Sequence, residues 1–88
     1  AIPNGGWRNL TTAAKLKAEG VVAGVPDLYL AVPRGEYHGL WIEMKNGKAG
    51  RLSESQKQML TNLRNENYKC EVCHSWTDFC KIIQEYLT

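Results

Sequence analysis

Two short apolar runs, Leu28-Tyr-Leu-Ala-Val32 and Gly39-Leu-Trp-Ile42, flank Pro33-Arg-Gly35, and no other feature constrains the fold of this chain as much. Runs this short are strand-length, and a proline close to a glycine turns a strand rather than continuing it. The pair predicts a β-hairpin. Facing residues in an antiparallel hairpin have residue numbers of constant sum. Pairing Asp27 with Glu43 or with Lys45 centres the turn at residue 35 or 36, where Gly35 stands. The turn chemistry, read separately, thus brings Asp27 beside Glu43 and Lys45. Strand side chains alternate, so Glu43 and Lys45 share one face while Ile42 and Met44 take the other.

The remaining elements follow from local signals. Ala1-Ile-Pro-Asn-Gly-Gly6 reads as an extended piece ending in a turn. Asn9, Thr11 and Thr12 offer N-caps to a helix through Ala13, Ala14, Leu16 and Ala18 that Gly20 stops. Asn46 to Gly50 is a basic, glycine-rich loop, and Ser53-Glu-Ser-Gln56 has the form of a capping box opening a helix that runs to about Asn65. Tyr68 to Cys73 alternates like a strand. Trp76, Phe79, Cys80, Ile83 and Tyr86 recur at helical spacing between Ser75 and Leu87. The order αββαβα, with a possible leading strand, predicts an α/β fold with a small mixed sheet flanked by helices. Eighty-eight residues, 43% of them hydrophobic, make one domain over 1–88 with a real core.

Charge and cysteine usage narrow the function classes. A net charge of +2 is too mild to announce nucleic acid by composition. From Lys45 to Lys57, however, Lys45, Lys48, Arg51 and Lys57 face Glu54 as the only acid. This stretch fits a solvated loop or a phosphate-contacting patch. Cys70, Cys73 and Cys80 are an odd number and a poor disulfide framework. Cys70-Glu-Val-Cys-His74 matches the haem-attachment pattern, and Cys80 adds a further thiol for zinc. Because the three thiols fall in a strand and the following helix, they are read as small core residues, with no haem or structural zinc expected. No apolar run approaches the roughly 18 residues a membrane helix needs, and no secretory leader is present, so a soluble, intracellular protein is expected.

Two carboxylates held close together repel unless one is protonated or a cation is bound. Asp27 and Glu43 with waters suit a hard divalent ion such as Mg²⁺ or Mn²⁺, and a neighbouring lysine suits an attacking water and a phosphate. That is the chemistry of phosphodiester hydrolysis. The pattern alone also fits an exposed Glu–Lys pair on a strand. Stepping back three and four residues from Met59 and Leu60 lands on Gln56, which puts a glutamine on the inward stripe of its helix. It reads as the capping-box partner of Ser53, as a polar group aimed at a metal, water or phosphate, or as both. Trp41 and Trp76 are read as core residues, His38 and His74 as solvent or capping residues, and Trp7 as either core or surface.

Gly24-Val-Pro-Asp-Leu28, Gly39-Leu-Trp-Ile-Glu-Met-Lys45 and Leu52-Ser-Glu-Ser-Gln56, in that order and spacing, resemble the VRR-NUC family, a branch of the PD-(D/E)XK nuclease superfamily. Ala1 to Gly6 and the approach from Lys17 to Gly24 resemble it too, so the likeness spans nearly the whole chain. The resemblance implies a restriction-endonuclease-like core and a Mg²⁺- or Mn²⁺-dependent endonuclease. It implies that Asp27, Glu43 and the Met44 carbonyl hold the metal, that Lys45 serves the attacking water, and that Gln56 is the family's helix glutamine. These nucleases often carry a further glutamate on a helix before the first motif, and the only acid ahead of Asp27 is Glu19. The number of metal ions therefore stays open.

The size is similar to that of stand-alone bacteriophage members, which implies the cytoplasm of a bacterial host and a homodimer acting on branched DNA such as four-way junctions. Arg8, Lys48, Arg51 and Lys57 are the expected phosphate contacts, since junctions are read by shape. The competing reading is a catalytically inactive module that binds branched DNA through the same fold.

Overall fold

The computed structural model describes residues 9–12, 22–45 and 50–88. Trp7, Arg8, Glu19, Lys48, the extended piece at the start and the helix after Thr12 lie outside them. In chain order the elements are β1 (Leu10–Thr12), β2 (Leu28–Leu30), β3 (Leu40–Met44), α1 (Glu54–Asn65), β4 (Lys69–Cys73) and α2 (Trp76–Leu87). The four strands form one mixed sheet in the order β1-β2-β3-β4. β1 and β2 pair antiparallel, as do β2 and β3, whereas β3 and β4 are parallel. Parallel neighbours need a crossover, and α1 supplies it. No described helix is long and apolar enough to cross a membrane.

The hairpin has the predicted register: Leu28 pairs with Ile42, Tyr29 with Trp41 and Leu30 with Leu40. Extending this by one residue sets Asp27 opposite Glu43. Gly35, at φ +55, occupies the left-handed region in the turn. One expectation is corrected. Leu10, Thr11 and Thr12, expected ahead of a helix, form a strand on β2, at the edge of the described sheet, with Thr11 Oγ1 donating to the Tyr29 carbonyl at 3.4 Å; the helix they were expected to cap lies outside the described residues. Leucine and the β-branched threonines suit a pleated edge once a partner strand is present.

Both described helices begin and end on signals in their own sequence. At the start of α1, Gln56 N–H donates to Ser53 Oγ while Gln56 Oε1 accepts from Ser53 N–H, which closes the capping box. At its end Asn67, at φ +64, takes the left-handed position. Asn67 N–H donates to the Arg64 carbonyl and Tyr68 N–H to the Leu63 carbonyl, a Schellman closure. α2 starts on Ser75, whose side chain accepts from Asp78 N–H.

Each face of the sheet carries one described helix. Leu30, Leu40, Ile42 and Cys73 are fully buried and pack with Phe79 and Ile83 of α2. Burial of this aliphatic cluster is the main source of stability, since truncating one such residue to alanine costs about 2–5 kcal/mol. The other face presents Tyr29, Trp41, Glu43 and Lys45. α1 lies on that side, with Leu60 buried and Arg64 donating to the Cys70 carbonyl at 3.0 Å.

Candidate active site

The site forms where the end of β3, the entry to β2 and the first turn of α1 meet. Asp27 Oδ2 accepts from Met44 N–H at 2.8 Å, so the carboxylate sits against the backbone link between Glu43 and Lys45. This is the hairpin register expressed as a side-chain contact. Glu43 is 3% exposed, the only buried charged residue among those described. Gln56 reaches from α1 into the group: Nε2 donates to Glu43 Oε1 at 2.7 Å, and Oε1 accepts from Lys45 Nζ at 2.9 Å. Lys45 Nζ also lies 3.8 Å from Glu43 Oε1.

Gln56 closes the capping box and also reaches both Glu43 and Lys45. Its carbonyl oxygen takes two donors, Ser53 N–H and Lys45 Nζ, which orients the amide so that Nε2 faces the glutamate. A buried charge must be paired and hydrogen-bonded to be tolerated. Here a neutral amide and an ammonium group share that task for Glu43.

The sequence reading missed what fixes Asp27 relative to Gln56. Gly24 has φ +79, and a Cβ built there would meet the Ser55 carbonyl oxygen and come within 2.8 Å of Gln56 N. Only glycine lets the Gly24-Val-Pro-Asp27 segment press its backbone onto the mouth of α1. Val25 and Pro26 are buried behind it and anchor the segment. The signal in the sequence was a glycine just ahead of Val-Pro-Asp, but what it had to approach is a tertiary fact.

Beside the charged group on this face lies an aromatic wall. Tyr29 stacks on Trp41 at 4.5 Å between centroids, and Tyr68 meets both edge-on at 6.0 and 6.3 Å. Gly39 is packed so closely that a Cβ would fall 2.6 Å from the Tyr29 ring. Trp41 in this wall lies on β3, two residues ahead of Glu43.

The donor set fits a hard cation. Asp27, just ahead of β2, and Glu43, on β3, bring carboxylates to the same end of the hairpin with the Met44 backbone between them, a set of hard oxygen donors. Among the described residues no group of three or more His, Cys, Asp and Glu comes together, so the described side-chain donors are two carboxylates. The cysteines lie elsewhere: Cys70 and Cys73 are buried and Cys80 packs against the core. Burial pushes the Cys70 thiol up to about 11 and raises Cys73 as well, the behaviour of core thiols. Of the basic residues, Arg51 is exposed just before α1, and Lys57 is exposed but paired with Glu54 at 3.4 Å. Trp41 is half-buried, whereas Trp76 is 67% exposed, which overturns its reading as a core residue.

The VRR-NUC domain model matches residues 1–76. The chain belongs to the VRR-NUC family. A solved VRR_NUC domain protein is 34% identical and superposes with a TM-score of 0.81 over 93% of this chain and 69% of its own. No curated protein matches. The VRR-NUC family is a nuclease family that generally uses divalent metals, and the mixed sheet with its flanking helices is a nuclease-like core. In this VRR-NUC chain the matched region contains the whole constellation of Asp27, Glu43, Lys45 and Gln56, together with Gly24.

Proposed function

We propose that this VRR-NUC chain is a Mg²⁺- or Mn²⁺-dependent endonuclease that hydrolyses phosphodiester bonds in DNA. Branched DNA such as a four-way junction is its first substrate, and a homodimer is the active form. The observation that supports this reading best is the bridging of Glu43 and Lys45 by Gln56, next to an Asp27 tied to the Met44 amide. An exposed Glu–Lys pair would need neither the burial of Glu43 nor the glutamine.

Asp27, Glu43 and the Met44 carbonyl would hold the metal, which when bound supplies Lewis acidity and charge neutralisation at the phosphate. The chain's own groups do the rest. Gln56 Oε1 fixes the direction of Lys45 Nζ, and the other Nζ hydrogens are then available to orient a water or to steady charge on the phosphate oxygens. Water oxygen bonds to phosphorus, the bond to the leaving oxygen breaks, and the water proton passes to solvent or to that oxygen. The Gln56–Glu43 bond keeps the carboxylate from turning away from the face it shares with Asp27.

Size and the basic stretch around α1 support this choice of substrate. A chain of 88 residues grips a short stretch of duplex, whereas two copies about a twofold axis offer two sites to two strands. Arg8, Lys48, Arg51 and Lys57 would contact phosphates, which positions DNA without reading its sequence. The test is cleavage of a labelled four-way junction beside linear duplex and single strand, with Mg²⁺, Mn²⁺ or EDTA, by wild type and Lys45→Ala. Metal-dependent paired cuts in the junction that vanish in Lys45→Ala are expected. Cuts confined to linear DNA would remove the junction, and tight binding without cleavage under either metal would replace the enzyme with an inactive DNA-binding module.

A further inference from the structure

A hollow of about 480 Å³ opens at the end of the sheet away from the active site. The hairpin turn lines it with Arg34 and Tyr37, the start of β4 with Lys69 and Glu71, and the last turns of α2 with Glu85 and Tyr86. Leu40, which also lines it, is the first residue of β3 and Met44 the last, so about 13 Å of strand separates the hollow from the candidate site. Tyr37 stands 40% exposed at its edge.

The polar groups of the hollow do not converge on a small ligand, as a small-molecule site requires. Lys69 Nζ lies 3.3 Å from Glu71 Oε1 and 5.6 Å from the centre of the Tyr37 ring, and Tyr86 donates its hydroxyl to the Val32 carbonyl at 2.6 Å. A phosphate is disfavoured as well, because Glu71 and Glu85 offset Arg34 and Lys69 on the same wall. Tyrosine and arginine around a concave centre are instead the residues that anchor protein partners.

Charge indicates which protein. α2 carries Glu85 in its last turn and no basic residue there, so a carboxylate stands at the negative end of the helix dipole. A cation brought to this turn would meet both. Arg34, exposed at the tip of the hairpin, spends Nη1 on the adjacent Pro33 carbonyl at 2.8 Å, and a guanidinium has five N–H donors. Base and acid thus lie on one patch. A twofold interface sets the same patch of two copies face to face, so residue i of one meets residue j of the other and j meets i. A patch that holds Arg34, Glu85 and an exposed tyrosine is complementary to its own copy in that arrangement.

We propose that this hollow is the interface with a second copy of the chain, in which Arg34 of one protomer meets the partner's Glu85, the reverse pair forms across the twofold axis, and Tyr37 packs between them. This rests on the homodimer reading above. A partner seated here leaves the Asp27, Glu43, Lys45 and Gln56 group of each copy uncovered, which suits two sites serving two strands.

The test is sedimentation velocity of the full chain over a concentration series, with wild type and three variants. Arg34→Glu and Glu85→Arg should each raise the dimer dissociation constant about tenfold or more by setting like charges against each other, and Tyr37→Ala should raise it too. Mixing Arg34→Glu with Glu85→Arg in equal amounts should restore the dimer, because opposite charges then meet in both pairs; restoration also shows that both variants are folded. A pair made within one protomer would not be repaired by mixing, so weakening that the mixture leaves in place would overturn the proposal. Dimers of undiminished affinity in all three variants would refute this interface and leave the homodimer reading standing. A wild type that stays monomeric at every concentration would end both.

Discussion

Replacing Gly24 by alanine separates the two reasons a glycine stands there. At φ +79 an L-residue pays about 1–2 kcal/mol for left-handed backbone. The added Cβ would also overlap the Ser55 carbonyl and crowd Gln56 N at 2.8 Å. Both are helix backbone, which cannot rotate away as a side-chain tip could, and forced overpacking costs about 1–3 kcal/mol more. The sum, about 2–5 kcal/mol, is a large part of the 4–13 kcal/mol or so that a domain of this size commands at roughly 0.05–0.15 kcal/mol per residue. Gly35→Ala is the matched control. Its φ is +55, and a Cβ there has nothing within 4 Å, so it carries the conformational cost without the collision.

Gly24→Ala should therefore lie about 1–3 kcal/mol below Gly35→Ala in urea denaturation. In thermal melts that is at least about 4 °C, taking 4–8 °C per kcal/mol for a domain of 60–100 residues. Should the segment from Gly24 to Asp27 lift off α1 to relieve the collision, the loss moves from stability to activity. An ångström of misplacement at Asp27 costs about 100-fold in cleavage rate. One or the other must fall. Gly24→Ala that matches Gly35→Ala in both melting temperature and rate would refute the close approach as the reason for glycine at this position.

Two further outcomes are expected. Gln56→Ala removes the donor to Glu43 and the acceptor of Lys45 Nζ, and should lower kcat by about 100-fold or more while costing about 1 kcal/mol of stability through the lost cap; a kcat within about threefold of wild type, near 0.65 kcal/mol in activation energy, would show the bridge to be idle. Burial raises the thiols of Cys70 and Cys73 and the phenols of Tyr29 and Tyr86, with Cys70 reaching about 11 from 9.0. These groups stay protonated in the folded chain after the unfolded chain has released its protons, so their contribution is complete below the unfolded values and is lost as pH climbs through the folded ones. Urea midpoints should fall steadily between about pH 9 and 11, and a flat midpoint across that window would contradict the burial of these groups.

What could be read from the sequence, and what could not, divides along the range of the forces involved. The hairpin register was legible because Pro33, Gly35 and strict alternation act within a few residues of one another, and the same register carries Asp27 to Glu43. The bounds of α1 were legible because Ser53 and Gln56 cap it locally. β1 was not, because Leu10–Thr12 has no strand pattern of its own and is defined by its partner β2; next to Asn9 its threonines look like caps. Trp76 sat on a plausible stripe with Phe79 and Ile83, but as the first residue of α2 it is 67% exposed while those two are buried.

That Asp27, Glu43, Lys45 and Gln56 come together was legible because the candidate site is assembled from those local devices. Gln56 is at once the third residue of a capping box and the bridge between Glu43 and Lys45. The two roles are coupled through one carbonyl oxygen: Ser53 N–H holds the amide in the rotamer that Lys45 requires. A weaker cap would therefore loosen the lysine without touching it. Ser53→Ala, which leaves the side chains of Asp27, Glu43, Lys45 and Gln56 unchanged, should lower kcat more than KM, because Gln56 Oε1 keeps its backbone donor but its own N–H loses the Ser53 Oγ acceptor that seats the turn. Were Ser53→Ala to lose cap stability and leave kcat unchanged, the helix mouth would be a scaffold for the site and not one of its working parts.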